Sequence, residues 1–256
     1  MITRHSFEEI EKMRAVCRDT ASIFEFLDNF IKVGITTERL NDICHEYITE
    51  SLKARPAPLN YKGFPKSICT SVNHVVCHGI PDNKPLKSGD IVNVDIAIEK
   101  NGFYGDSSKM YVIGKTPAFA KRLVDLTQEA LYLAIQEVKP GRDVNIIGRT
   151  IQKFADKNNL SIVREYCGHG IGKNFHQAPE VVHFNPGYEG PILEPGMIFT
   201  IEPMLNLGKQ HTKKLGDGWT VVTKDRSLSA QWEHTILVTE TGYEILTLRT
   251  EEKEKL

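Results

Sequence analysis

The chain has 256 residues, 40% hydrophobic and 25% charged, with a formal net charge of −1. That balance excludes the strong basic field that nucleic acid calls for, and no apolar run of about 18 residues offers a membrane span. Glu8, Glu9 and Glu11 and the lack of an apolar h-region argue against a signal peptide, and five cysteines without framework spacing read as reduced cytosolic thiols, so the expected location is cytoplasmic.

The spacing predicts a first helix opened by a Ser6/Glu9 capping box, with an apolar stripe Ile10, Met13, Val16, Cys17, Thr20, Ile23, Phe24 and Leu27. A second helix follows Gly34-Ile35-Thr36 and carries Leu40, Ile43, Cys44, Tyr47 and Ile48 on one face. Ile91 to Ile98 alternates apolar and polar, and Asn101-Gly102 is a type I′ hairpin signal. With those two residues as the loop, Lys100 faces Phe103, position 106 faces 97 and position 95 faces 108. Asp95 and Asp106 then become diagonal neighbours on one face of a ribbon. Thr116-Pro117 starts a long helix with Pro at its first position, striped by Leu123, Val124, Ala130, Leu131, Ala134 and Val138. Pro140-Gly141 ends it, and Asp143 caps a fourth helix bearing Ile147, Ile151, Phe154 and Ala155.

The second helix pair repeats the first. A shift of 107 residues lays Val16 on Leu123, Thr20 on Thr127, Gly34 on Gly141, Leu40 on Ile147 and Cys44 on Ile151. The same shift lays Leu86-x-x-Gly89-x-Ile91-x-x-Val94-Asp95 on Leu193-x-x-Gly196-x-Ile198-x-x-Ile201-Glu202. The expected architecture is a pseudo-symmetric α+β fold of two halves, roughly 6–110 and 115–248, forming one domain over 1–256. Helices lie outside one continuous antiparallel sheet, and the site lies between the halves.

Asp95, Asp106, His169, Glu202 and Glu233 stand in apolar or glycine-rich settings, where an unpaired charge is expensive. No surplus of Lys or Arg accompanies them, so they point to metal ions. Two divalent ions balance four carboxylates, whereas one would leave like charges raising each other's pKa. Oxygen-rich ligation with one imidazole suits Mn, Fe, Co or Zn without choosing among them. The glycines around His169 let backbone and solvent approach the ring. Cys69, Cys77 and Cys167 fall near this set, with small buried hydrophobes as the plainer reading.

The stretches Asn73-His-Val-Val-Cys-His-Gly-Ile-Pro81, Gly89-Asp-Ile-Val-Asn-Val-Asp95, Gly105-Asp-Ser-Ser-Lys109, Cys167-Gly-His-Gly-Ile-Gly172, Phe199-Thr-Ile-Glu-Pro203 and Ser227-Leu-Ser-Ala-Gln-Trp-Glu-His234 resemble type I methionine aminopeptidases. The resemblance spans roughly residues 5 to 248 and implies the pita-bread fold and removal of the initiator methionine before a small second residue. It implies that Asp95 binds one metal, that Asp106 and Glu233 bridge two, and that His169 and Glu202 complete the other. A bridging hydroxide would attack the scissile carbonyl with Glu202 as proton shuttle. His78 and His176 would contact substrate and stabilise the tetrahedral intermediate. Pro58, Tyr61, Phe64, Cys69, Phe175 and Trp219 would line the methionine pocket, and Asn73, Val75 and Ser229 would form a monovalent-cation site. Implied partners are nascent polypeptide N-termini and the ribosome, with a monomeric enzyme that binds neither nucleic acid nor membrane.

The chain departs from the family at His74, where Glu is common, at Lys62, where His is frequent, and at Pro58, often a small residue or Cys. These positions bear on substrate preference. Two alternatives are an Xaa-Pro aminopeptidase or dipeptidase on the same fold, and a non-catalytic binding module.

Overall fold

A computed structural model describes residues 2–255. Helix α1 (Phe7–Leu27) opens with the expected reciprocal Ser6/Glu9 cap, and its stripe is buried from Met13 to Leu27. Helix α2 (Thr37–Glu46) is capped by the Thr36 hydroxyl and runs into a wide π-type turn, Tyr47–Ser51, which takes up Tyr47 and Ile48. Helix α3 (Ala118–Ile135) begins one residue later than expected. Pro117 has an extended ψ of 143° and occupies the capping position. Helix α4 (Ile146–Lys157) starts after Asn145, so Asp143 is not its cap. The Asp143 carboxylate instead accepts from the Asn145 and Gly190 amides and from Arg149, tying the approach to α4 onto a distant loop.

The hairpin Ile91–Lys100/Phe103–Val112 has the expected register, with Lys100 opposite Phe103, Ala97 opposite Asp106 and Asp95 opposite Ser108. Asn101 and Gly102 both have positive φ, as a type I′ turn requires. Cys69–Val72 and Arg55–Pro56 complete this four-stranded sheet. The second large sheet runs in the order Tyr243–Ile245, His234–Val238, Ile198–Ile201, Gly168–Gly170, Gln177–Val181. Two three-stranded sheets flank these, so the expected continuous sheet is divided into four among the described residues. One cause is Pro203, which has no amide to donate and separates Ile198–Ile201 from Met204–Asn206 in the neighbouring sheet. The two large sheets meet where the Glu233 amide donates to the Ser108 carbonyl at 3.3 Å.

The same offset of 107 relates several tertiary bonds. The Gly34 amide donates to Leu86 O, and the Gly141 amide to Leu193 O. Leu86 N donates to Ile35 O, and Leu193 N to Arg142 O. Isolated bridges pair Thr36 with Pro85 and Asp143 with Ile192. Each helix pair covers its own sheet. Phe24, Leu27, Leu40 and Ile43 cluster with Val92, Val94 and Ile96, while Leu123, Leu131, Ile147 and Ile151 cluster with Phe199, Ile201 and Ile236. Asp95 and Asp106 stand within the hairpin strands, while Glu202 follows Ile198–Ile201 and Glu233 precedes His234–Val238.

Candidate metal centre and active site

Five segments bring the ligand candidates together. The hairpin register sets Asp95 and Asp106 side by side. Asp106 is fixed from behind by the Thr235 hydroxyl, which donates to its backbone carbonyl at 2.7 Å. Glu233 is fixed through its main chain, for Ser107 Oγ donates to its carbonyl at 2.7 Å while its amide reaches Ser108 O. His169 sits on a short strand between two others. Its amide donates to Thr200 Oγ1 at 3.0 Å, and its Nδ1 lies 3.0 Å from Gly170 O, leaving Nε2 to face Asp106 Oδ2 at 3.6 Å and Glu202 Oε1 at 3.8 Å. Ligand atoms of Asp106, His169 and Glu233 all lie within 4.8 Å of one another.

The glycines flanking His169 serve the strands more than the ring. A Cβ on Gly168 would stand 2.3 Å from Thr200 O, and one on Gly170 would stand 2.1 Å from Ala178 O. Their bare backbone lets the His169 strand lie between its neighbours, which differs from the expected approach of solvent.

The electrostatics describe a site wanting cations. Burial first, then Asp106 and Glu202, push Asp95 well above the usual carboxylate range. Burial and the other three acids do the same to Glu233, with buried Arg249 pulling weakly the other way. Glu202 is pushed up to about 7, by burial opposed by His169 and reinforced by Asp106. Burial pulls His169 down, but its contact with Asp106 and the charges of Glu202 and Asp106 outweigh that and raise it. Asp106 Oδ1 is buried without a hydrogen-bond partner. An acceptor left bare beside three other carboxylates is costly, and a metal ion satisfies it. The donor set therefore fits divalent metal.

These groups form one end of a cavity of about 400 Å³. Pro58, Tyr61, Phe64, Cys69, His78, Phe175, His176 and Trp219 all line it, together with Cys77 and Cys167. Tyr61 stacks on His176 with centroids 5.3 Å apart and meets Phe175 edge-on at 5.1 Å, while Phe64 meets Trp219 edge-on at 5.2 Å. Burial, helped by Lys214, holds His78 down at about 4. Burial followed by His169, His78 and Lys62 holds His176 at about 3. Both rings are neutral at neutral pH.

Asn73, Val75 and Ser229 lie apart from this lining. The Ser229 amide donates to Asn73 O at 2.9 Å, Val75 pairs with Val222, and Ser229 Oγ is buried without a partner.

Sequence reasoning missed the groups that orient Glu202. Thr200 Oγ1 donates to its Oε1 at 2.8 Å, Gln231 Nε2 to its Oε2 at 3.1 Å, and its amide donates to His183 Nε2 at 3.1 Å. Thr200 and Gln231 each lie two residues from a ligand candidate, on the same strand face or its continuation, which is the signal that could have found them.

Buried carboxylates around an imidazole, open to an aromatic-walled cavity, suit a metal-dependent enzyme. The model of metallopeptidase family M24 matches residues 11–240, and the chain belongs to that family. The methionine aminopeptidase of Escherichia coli strain K12 is 53% identical over 246 residues, 96% of this chain and 93% of that protein. The crystal structure of methionine aminopeptidase from Rickettsia prowazekii superimposes with a TM-score of 0.95 at 51% identity, covering 97% of this chain and 100% of that one. Prolidase from Pyrococcus furiosus aligns with a TM-score of 0.75 at 20% identity over 96% of this chain and 65% of its own, a likeness of fold alone.

Proposed function

We propose that this M24 metallopeptidase is a type I methionine aminopeptidase, hydrolysing the first peptide bond of chains that begin with methionine and a small second residue. The observation that carries this reading is a single cavity lined both by aromatic rings and by the four carboxylates and the imidazole. The high identity to methionine aminopeptidases along nearly the whole chain supports it.

In this reading Asp95, Asp106, His169, Glu202 and Glu233 would hold two divalent ions, because two such ions balance the four carboxylates. Cobalt, manganese, iron and zinc all suit the donor set. When bound, such ions polarise a carbonyl and make a water nucleophilic near neutral pH. Glu202 takes a proton from the attacking water and returns it to the leaving amine, its oxygens oriented by Thr200 and Gln231. Neutral His78 and His176 each have a ring N–H to donate to substrate, and His176 is the one assigned to the developing oxyanion. Tyr61, Phe64, Phe175 and Trp219, with Cys69 and Pro58, receive the methionine side chain through dispersion and sulfur–ring contacts.

The single catalytic domain is read as two repeated halves, a reading supported by the bonds that recur at an offset of 107. A monovalent cation at Asn73, Val75 and Ser229 is supported by the unpartnered Ser229 hydroxyl. Nascent N-termini are the substrates, met by a monomeric cytoplasmic enzyme at the ribosome. No described helix is long and apolar enough to cross a membrane.

Hydrolysis of Met-Ala-Ser and Ala-Pro peptides after loading with each of the four metals tests the reading. Free methionine from the first peptide is expected. Cleavage of Ala-Pro with Met-Ala-Ser untouched would replace it with the prolidase alternative.

A further inference from the structure

Among the groups lining the cavity, five are carboxylates and only one, Lys62, is a lysine or arginine. Lys62 stands in the turn Tyr61–Gly63, where the backbone is left-handed at Lys62 (φ 48°, ψ 29°) and again at Asn60 and Gly63. A side-chain-bearing residue seldom adopts that conformation. The turn is fixed by Tyr61 N donating to Pro58 O and Asn60 N donating to Phe64 O. Lys62 is exposed, yet its Nζ lies 5.3 Å from the centroid of the Tyr61 ring, which itself stacks on His176. No described carboxylate pairs with it.

Lys214 is similarly exposed and has no carboxylate partner among the described residues. Both cations are felt inside. After burial, Lys214 is the other influence holding His78 down, and Lys62 adds to the influences of burial, His169 and His78 on His176. The rim at Lys62 therefore carries an ammonium group with no carboxylate partner among the described residues, while the cavity beyond it is acidic, and the Lys214 backbone pairs with Val221, the neighbour of cavity-lining Cys77. Glu165, the lining carboxylate outside the metal set, already accepts the amides of Thr212 and Arg164.

We propose that Lys62, aided by Lys214, is a specificity-determining residue that favours peptides carrying a carboxylate on the second residue beyond the scissile bond. The inference rests on the aminopeptidase reading. With the methionine side chain among the aromatic rings and the scissile carbonyl at the carboxylates, the remainder of the peptide leaves across the exposed rim. An acidic side chain there meets Lys62, and a basic one meets an added like charge.

The experiment compares Met-Ala-Asp, Met-Ala-Ser and Met-Ala-Lys, each amidated at its C-terminus, on manganese-loaded enzyme at about 20 mM salt, where exposed charges are weakly screened. The expected loss of preference in Lys62→Met is about two- to five-fold in the Asp-to-Lys ratio of kcat/KM, the scale of an exposed ion pair. Lys62→Glu lowers the ratio further, and Lys214→Met lowers it less than Lys62→Met. Salt at about 0.5 M erases the differences. Turnover of Met-Ala-Ser reports folded, loaded enzyme in every variant. Failure of the unaltered enzyme on Met-Ala-Ser would remove the aminopeptidase reading itself. An Asp-to-Lys ratio unchanged in Lys62→Glu, with Met-Ala-Ser still cleaved, would overturn the proposal alone.

Discussion

Asp106 and Glu233 offer ligand atoms that lie with that of His169 within 4.8 Å of one another, one acid from the first hairpin and the other from just before His234–Val238. Replacing either by its amide keeps the shape and removes a negative charge from a site proposed to balance two cations. Asp106→Asn and Glu233→Gln are therefore expected to lose measurable turnover while far-ultraviolet circular dichroism stays unchanged; normal turnover in either would refute its bridging role. His176 makes a different contribution. Its ring is held neutral, and in the proposed role its removal costs one donor to the oxyanion, so His176→Ala is expected to lower kcat by about 10²-fold or more with a smaller change in KM. An unchanged kcat would reduce the ring to a packing element beneath Tyr61. At this scale the sequence was informative where chemistry was improbable, as with acids ending apolar strands. It was uninformative about Arg249, an arginine near the chain end that is 0% exposed in the folded molecule.

Elements explain that residue. The segment after Tyr243–Ile245 turns back behind the hairpin, where Arg249 Nη1 donates to Ser107 Oγ at 3.0 Å and Nη2 donates to Glu252 Oε1 at 2.7 Å. Ser107 in turn holds the Glu233 carbonyl, so the terminal turn braces the junction of the two large sheets. Thr247 Oγ1 adds a contact to the Thr235 amide. Arg249→Met would take the guanidinium from buried Glu252 and leave it only His234 and Gln128, and the expected cost is about 3 kcal/mol in urea unfolding of the metal-free protein. Arg249→Met with Glu252→Gln should recover part of that loss, and a single variant as stable as the parent would show the brace to be dispensable. The hairpin register was legible because Asn101-Gly102 fixes the loop and the period of two does the rest. The break at Pro203 and the brace at Arg249 were not, because each depends on segments far apart in the chain and leaves no local periodicity. The role of Gly168 and Gly170 was hidden for the same reason, since the strands they admit are Ile198–Ile201 and Gln177–Val181.

For the molecule as a whole, the two helix pairs cover separate cores, and the acidic seam gathers carboxylates from strands of, or next to, both large sheets. The tertiary bonds that recur at an offset of 107, which also relates Asp95 to Glu202, support the proposed pair of repeated halves. The seam has a cost in the metal-free protein. Asp95, Glu202 and Glu233 have raised folded-state pKa values, so their contribution to stability is present below the ordinary carboxylate range. It is lost as pH rises, through about 7 in the case of Glu202. Divalent ions reverse that sign, because binding requires the ionised forms and releases their protons. The most direct test is calorimetric titration of the metal-free protein with manganese near pH 7.5, in two buffers of different ionisation enthalpy. Two ions bound per chain with net proton release, reduced to one or none in Glu233→Gln, is the expected result. Binding of fewer than two ions per chain at saturation, or binding unaffected by Glu233→Gln, would contradict the dinuclear centre on which the account stands.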